Sequence, residues 1–295
     1  MFEDFTPFDI QTQSSPPITI HGLQHTTSSG PALLLIHGFP QTHHIWHLVT
    51  PALISSYKVI LVDIRGYGAS SKPSGVQHYA KSAMAKDMHA VMSQLGHTSY
   101  FVVAHDRGAR VAHKLMVDYP SEVKKAIFLD IAPTLCMFEY TNQEFATAYW
   151  HWFFLIQKTP LPEMLITSHA RQFAELFMGG RLEDGFSTFS AEAFEVYVRS
   201  LADHETVHAM CEDYRAAATL DLQEAKRDLE DGKKIKGDLK VIWGKRGVIE
   251  KCFDAVKEWT AVSDGRVEGE SLNCGHYVPE EKPDELIEKI KEFLV

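Results

Sequence analysis

The stretch VVAHDRGAR, residues 102–110, places Asp106 between an apolar, β-branched run and a segment with helical spacing. Its centre, Ala104-His105-Asp106-Arg107-Gly108, follows a small–x–acid–x–small pattern. Small residues on both sides of one functional residue suit a very tight strand-to-helix turn, which leaves no room for larger side chains. Such a turn lifts residue 106 above the sheet and aims the helix N-terminus at it. The nonapeptide alone is equally compatible with an ordinary aspartate N-cap. What separates the two lies far away in the chain.

On both sides of this stretch, short apolar runs alternate with helical patterns. ALLLIH (32–37), YKVILVD (57–63), YFVVAH (100–105) and KKAIFLD (124–130) read as buried strands. Residues 80–95 and 107–119 read as the helices between them. That alternation implies an α/β fold, a mostly parallel sheet covered by helices on both faces. From about 135 to 228 strand-like runs disappear, and aromatic, Ala, Glu and Leu residues recur at helical spacing. Alternation resumes with LKVIWG (239–244), a helix through 251–260, RVEGESL (266–272) and an amphipathic helix over 284–294. The expected organisation is one core domain, 1–133 and 229–295, carrying a helical cap domain, 134–228.

The chain has 295 residues, 45% of them hydrophobic, which is enough for one large core with an insertion. A net charge of −10 argues against nucleic acid or an anionic membrane surface as partner. The four cysteines form no C-x-x-C pair and read as reduced thiols. No secretory signal and no membrane-spanning apolar run is recognisable, so a soluble, cytoplasmic protein is expected.

HGFP (37–40) follows a buried strand, where a loop donating backbone N–H groups to an oxyanion belongs. DIRGYGAS (63–70) follows the next strand, and NCGHY (273–277) supplies His276 after the last one. With the turn at Asp106, these motifs resemble the α/β-hydrolase family along essentially the whole chain. In that family Asp106 would be the nucleophile and His276 the base. Many relatives carry the third member of the triad in a WGxxD pattern, but this chain reads Trp243-Gly244-Lys245-Arg246-Gly247. Asp130, in FLDIAPT, is therefore the expected acid, with Glu250 as the alternative.

An aspartate nucleophile selects the chemistry. It is ionised at neutral pH and can displace a leaving group from a saturated carbon, forming an ester. His276, oriented by Asp130, would then activate a water to attack that ester. The oxyanion would form on the enzyme's own carboxyl, facing the backbone N–H groups of Phe39 and Arg107. The leaving group is then a halide or an epoxide oxygen. Arg107 and Arg110 lie three residues apart on one helix face and could bind a substrate carboxylate. A solvated basic face is the bland alternative. In the cap, His151, Trp152 and Tyr214 each join an apolar body to a polar hydrogen, as solvation of a departing fluoride requires. Packing is the alternative for them.

Asp106-Arg107-x-x-Arg110, Asp130, His151-Trp152, Tyr214 and His276 together resemble the fluoroacetate (haloacetate) dehalogenases. The resemblance implies nucleophile, carboxylate clamp, acid, halide cradle and base at these positions, and a homodimer. Epoxide hydrolases share HGFP, the DxRGYGxS pattern and a cap tyrosine but use two tyrosines, for which Tyr149 would be the stand-in. Haloalkane dehalogenases usually place Trp directly after the nucleophile, where this chain has Arg107. Two further alternatives are a hydrolase acting on a larger carboxylic acid and a ligand-binding protein that has lost catalysis. THHIWH (42–47) puts His43 and His47 at i, i+4, but no carboxylate completes an H-E-x-x-H set. Neither a metal nor a cofactor is expected.

Overall fold

The computed structural model of the protein describes residues 1–181 and 185–295. Eight strands form one sheet in the order β1-β2-β4-β3-β5-β6-β7-β8. They are β1 (Thr6–Ser14), β2 (Pro17–His25), β3 (Ala32–Ile36), β4 (Lys58–Val62), β5 (Tyr100–His105), β6 (Val123–Leu129), β7 (Asp238–Gly244) and β8 (Val267–Leu272). β2 runs antiparallel to β1 and β4, and every pair from β4 to β8 is parallel.

The alternating faces of the strands explain their unbroken apolar runs. Leu34, Ile36, Val102, Ala104 and Phe128 join a core with Met88 of helix α1 (Lys81–Gln94) and Leu115 of helix α2 (Arg107–Asp118). Leu33, Leu35, Val103, Ile127 and Leu129 point to the opposite core, filled by Trp46, Leu286 and Ile290. A strand covered on both sides has no polar face to alternate with. β1 was not expected from the sequence. Its residues are exposed or half-buried, as an edge strand allows, so its hydrophobic period is weak. The expected helix over 251–260 is two, Val248–Cys252 and Ala255–Ala261, because Asp254 caps the second by accepting from the Lys257 N–H.

Between Leu129 and Asp238 the described residues contribute no strand to the sheet; Ile235 makes only an isolated bridge to Ser263. Eight α-helices fill this stretch, from Thr134–Glu139 to Leu220–Glu230. The last of them runs past the expected boundary at 228, and residues 182–184 of the expected cap lie outside the described residues. Among the described residues no helix is long and apolar enough to cross a membrane.

Gly108 tests the packing at the centre of the sheet. A Cβ there would sit 2.2 Å from the His37 carbonyl and 2.7 Å from that of Ile36. In an exposed helix, Gly→Ala would gain about 1 kcal/mol. Gly108→Ala should instead lose about 1–3 kcal/mol, because backbone cannot yield as a side-chain tip can. Urea denaturation reads the sign directly, and an unchanged or raised midpoint would refute the packing.

Candidate active site

Asp106 continues β5 by donating its N–H to the Leu129 carbonyl (3.2 Å), and Asp130 continues β6 by donating to Ile242 (2.8 Å). Both then turn sharply. They are the two non-glycine residues with positive φ among the described residues, 48° for Asp106 and 51° for Asp130. Such strain persists only where surrounding contacts over-determine it. Around Asp106 those contacts come from Gly38, where a Cβ would lie 2.6 Å from the Asp106 Cβ and 2.7 Å from its Oδ1. That close approach lets the Phe39 N–H donate to Asp106 Oδ1 at 2.9 Å. One carboxylate oxygen is thus already held by the amide expected to serve an oxyanion. The Arg107 amide opens α2 immediately after it.

His276 arrives on the loop after β8. Its Nδ1 donates to Asp130 Oδ2 at 2.6 Å, and Asp130 Oδ1 accepts from the Gly244 N–H at 3.0 Å. A carboxylate can only accept, so Nδ1 carries the proton and Nε2 presents its lone pair. That nitrogen lies 3.9 Å from Asp106 Oδ2, too far for a hydrogen bond. Glu250, the alternative acid, instead accepts from Trp243 Nε1. Burial pushes the Asp106 carboxyl up, but His276, His105, Arg110 and Arg107 outweigh it and hold the group below its ordinary range. A cleft of about 240 Å³ reaches Asp130 and His276 between Tyr149, Arg246 and Lys251.

The two arginines behave differently. Arg107 is fully buried and lies against a carboxylate the sequence did not single out. Its Nε and Nη2 donate to the two oxygens of Asp213 (2.9 and 2.6 Å), and Nη2 also reaches the Asp213 carbonyl. Asp213 further accepts from Tyr67 (2.9 Å) and from Lys81 Nζ. Only Arg107 Nη1 lacks a partner among the described residues. Arg110 is 3% exposed and has no carboxylate within ion-pair distance among the described residues. Its Nη1 donates to Thr134 Oγ1 (2.8 Å) and the Ala132 carbonyl (3.2 Å), its Nη2 faces the Met137 sulfur, and its Cζ sits 4.7 Å from the Trp152 ring centroid. Its Nε has no hydrogen-bond partner among the described residues. Burial and then Arg107 pull this guanidinium below its ordinary value, and the more distant Asp106 carboxylate offsets them only in part.

The three cap residues converge on the same place. His151 and Trp152 come from helix Trp150–Leu155, and Tyr214 from helix His204–Ala217. The Phe39 ring meets His151 at 6.1 Å and Tyr214 at 5.3 Å, and Tyr214 also lies 4.3 Å under the Arg107 guanidinium. All three side chains are buried, and Trp152 Nε1 has no hydrogen-bond partner among the described residues. Tyr149, the stand-in for a second tyrosine, is buried 5.1 Å from His151.

The family described as alpha/beta hydrolase fold matches residues 31–163. A fluoroacetate dehalogenase of Burkholderia sp is 38% identical over 269 residues, 90% of this chain and 88% of its own length. The chain belongs to the α/β-hydrolase family. A soluble epoxide hydrolase of Corynebacterium sp. (strain C12) is 30% identical over 275 residues, 91% of each chain. Among solved structures, a candidate α/β hydrolase from Nostoc sp PCC 7120 matches with a TM-score of 0.94 at 42% identity, over 100% of this chain and 99% of that one. The protein is accordingly a hydrolase, with relatives named for both halide and epoxide chemistry.

Several residues that build this hydrolase site were given no role by the sequence, whether or not they lie inside a motif. Asp213, Tyr67 and Lys81 are spread over a cap helix, the loop after β4 and α1. The one sequence signal was that Asp213 directly precedes Tyr214 in CEDYRA. His37 donates Nδ1–H to the Gly38 carbonyl and accepts from the Ile64 N–H, with burial pushing its imidazole down to about 4. It therefore shapes the oxyanion loop as a neutral ring. In THHIWH, His43 is tied to Asp63 by its Nδ1 (2.8 Å) and its N–H (2.9 Å). Among the described residues no group of three or more His, Cys, Asp or Glu could hold a metal ion.

Glu280 is buried behind the oxyanion loop, where it accepts from Gln41 Nε2 and from Tyr197 OH (3.1 Å) of a cap helix. Burial pushes its carboxyl from 4.5 to about 8, against the lowering effect of those two hydrogen bonds. The folded chain then keeps a proton that the unfolded chain releases, so stability falls as pH rises from about 4.5 to 8 and levels off above. Between about pH 6 and 8.5 the loss should be on the order of 3 kcal/mol. Glu280→Gln should remove that slope in chemical denaturation, and an equal slope in both proteins would show that Glu280 is not its source.

Proposed function

We propose that the protein is a hydrolytic dehalogenase of small 2-haloacids, fluoroacetate among them. The observation that carries this is Arg110: a buried guanidinium with no carboxylate within ion-pair distance among the described residues, one helical turn after an aspartate nucleophile. An unpaired buried cation is strongly unfavourable unless something compensates it. The carboxylate of a haloacid is the compensating anion, accepting one N–H from Arg110 Nε and one from Arg107 Nη1. Its α-carbon then faces Asp106. The unpartnered Trp152 N–H, with His151 and Tyr214 beside it, supplies polar hydrogens for the departing halide.

In the first step Asp106 Oδ2 displaces the halide, forming an O–C bond as the C–X bond breaks. Oδ1 stays on the Phe39 N–H. In the second step His276 Nε2 takes a proton from a water whose oxygen attacks Cγ of Asp106. The negative charge develops on Oδ1, where the amide donor is already in place, and no reorganisation is needed. Collapse breaks the Cγ–Oδ2 bond. The leaving Oδ2 takes the proton from His276 and departs as the hydroxyl of the 2-hydroxy acid, so that the proton passes from water through His276 to product. Asp106 keeps the water oxygen and loses the second water proton to solvent.

Epoxide hydrolysis through the same ester is the second reading, favoured by the buried Tyr149 near Tyr214's cap neighbours. It leaves Arg110 without a counter-ion, which is why it ranks second.

Purified protein incubated with fluoroacetate should release fluoride at an ion electrode. Turnover of styrene oxide with no halide release from any haloacetate would transfer the assignment to epoxide hydrolysis. Arg110→Met gives a finer check. It should raise KM for haloacetates by roughly 10–100-fold, the value of a lost charge-assisted hydrogen bond. Glycolate should raise the Tm of the native protein by ligand linkage but not that of the variant. Equal KM values would return Arg110 to a purely structural role. In His276→Asn the ester should accumulate on Asp106, visible by intact mass; absence of an adduct after haloacetate treatment would remove His276 as the base.

A further inference from the structure

His276 sits on the loop after β8, whereas Asp106 ends β5, three strands away in the sheet. At the usual strand spacing that is about 14 Å, so the loop must fold back across the ends of β7 and β6 to reach the nucleophile. It departs from an edge strand whose residues are mostly only half-buried. Side chains therefore have to hold it in place. Glu281 takes the N–H groups on either side of His276, from Gly275 (2.6 Å) and Tyr277 (2.9 Å). Asp130 takes the His276 ring. The carbonyl of His276 is bound by His105, whose Nε2 lies 2.8 Å away.

We propose that His105 is a positioning residue for the ester-hydrolysis step, tying the base loop to the strand that carries the nucleophile. This deepens the function proposed above and rests on its two-step mechanism. His105 is completely buried at the last position of β5, with its ring centroid 4.7 Å from that of His276. A carbonyl can only accept, so the His105 proton is on Nε2, and Nδ1 is left bare and without a partner among the described residues. Burial, and then His276, push the His105 imidazole down to about 3. It stays uncharged while its neighbour gains and loses a proton, so it never competes with His276 for positive charge. The ring before the nucleophile thus acts on the base and not on the attack: Asp106 needs no base to displace a leaving group, but its ester needs one to be hydrolysed.

The two steps separate the roles. In single-turnover kinetics with chloroacetate, followed by mass spectrometry, His105→Phe should form the Asp106 ester at nearly the native rate. It should then hydrolyse it roughly 10–100-fold more slowly, as misplacing a catalytic group does. His105→Gln, whose amide N–H can reach the same carbonyl, should restore most of the hydrolysis rate. Equal slowing of both steps, native hydrolysis in His105→Phe, or no rescue by glutamine would each overturn the proposal. Nitrogen NMR of the native protein gives an answer even where the phenylalanine variant does not fold. It should show one imidazole fixed as the Nε2–H tautomer from about pH 5 to 9, a range that contains the ordinary histidine pKa. A His105 signal that titrates there would refute it. If neither chloroacetate nor styrene oxide yields an ester on the native protein, the two-step function itself fails, and the NMR result still decides the tautomer of His105.

Discussion

Two carboxylates are fixed at the ends of neighbouring parallel strands, each one residue past its strand and each at positive φ. The rest of the site depends on that constraint. Because β5 and β6 are hydrogen-bonded neighbours, Asp106 and Asp130 emerge at one edge of the sheet with their separation set by strand spacing. His276 then has a single useful position, bonded to Asp130 at 2.6 Å with its other nitrogen 3.9 Å from Asp106. Moving either acid along its strand by one residue would turn its side chain to the other face. The backbone strain at Asp106 is balanced by the close approach of Gly38, which only a residue without Cβ permits.

The electrostatics follow from burial. Asp106 keeps a low-lying carboxyl because His276 and the two arginines Arg110 and Arg107 lie near it. Of the cations, Arg107 is neutralised by Asp213, which also gathers Lys81 and Tyr67 and so joins the cap to α1, α2 and the loop after β4. Arg110 has no such partner among the described residues. The pair is therefore not two equivalent halves of a clamp. Arg107 is chiefly a link between cap and core with one N–H to spare, and Arg110 is the cation left without an ion pair among the described residues. A buried charge is stable in isolation only at high cost, which is why the unpaired one is informative.

Much of the fold was legible because covered parallel strands leave unbroken apolar runs, as at ALLLI and KVILV. Where that signal fades, expectation and structure part. β1 has an exposed edge and no clear period, and Asp254 breaks what looked like one helix by capping a second. In the site, the residues expected as nucleophile, base, acid and cap donors lie together around Phe39 and Asp106. Of their supports, His37, Tyr67 and His105 lie inside motifs that mark the loops but not these side chains' roles, whereas Asp213, Lys81 and Glu280 are single residues of ordinary type with nothing at fixed spacing to flag them.

The sequence by itself determined the chemical groups and their order: an aspartate at a strand–helix turn, a histidine after the last strand, an acid after β6, and arginines on one helix face. Those features are local, written in neighbouring residues and in hydrophobic period. Only the tertiary structure decided which groups are left unsatisfied. Whether an arginine is paired depends on a carboxylate about 100 residues away, as with Arg107 and Asp213, 106 positions apart. Partnership between distant side chains is a consequence of packing, and packing has no signature at fixed sequence distance.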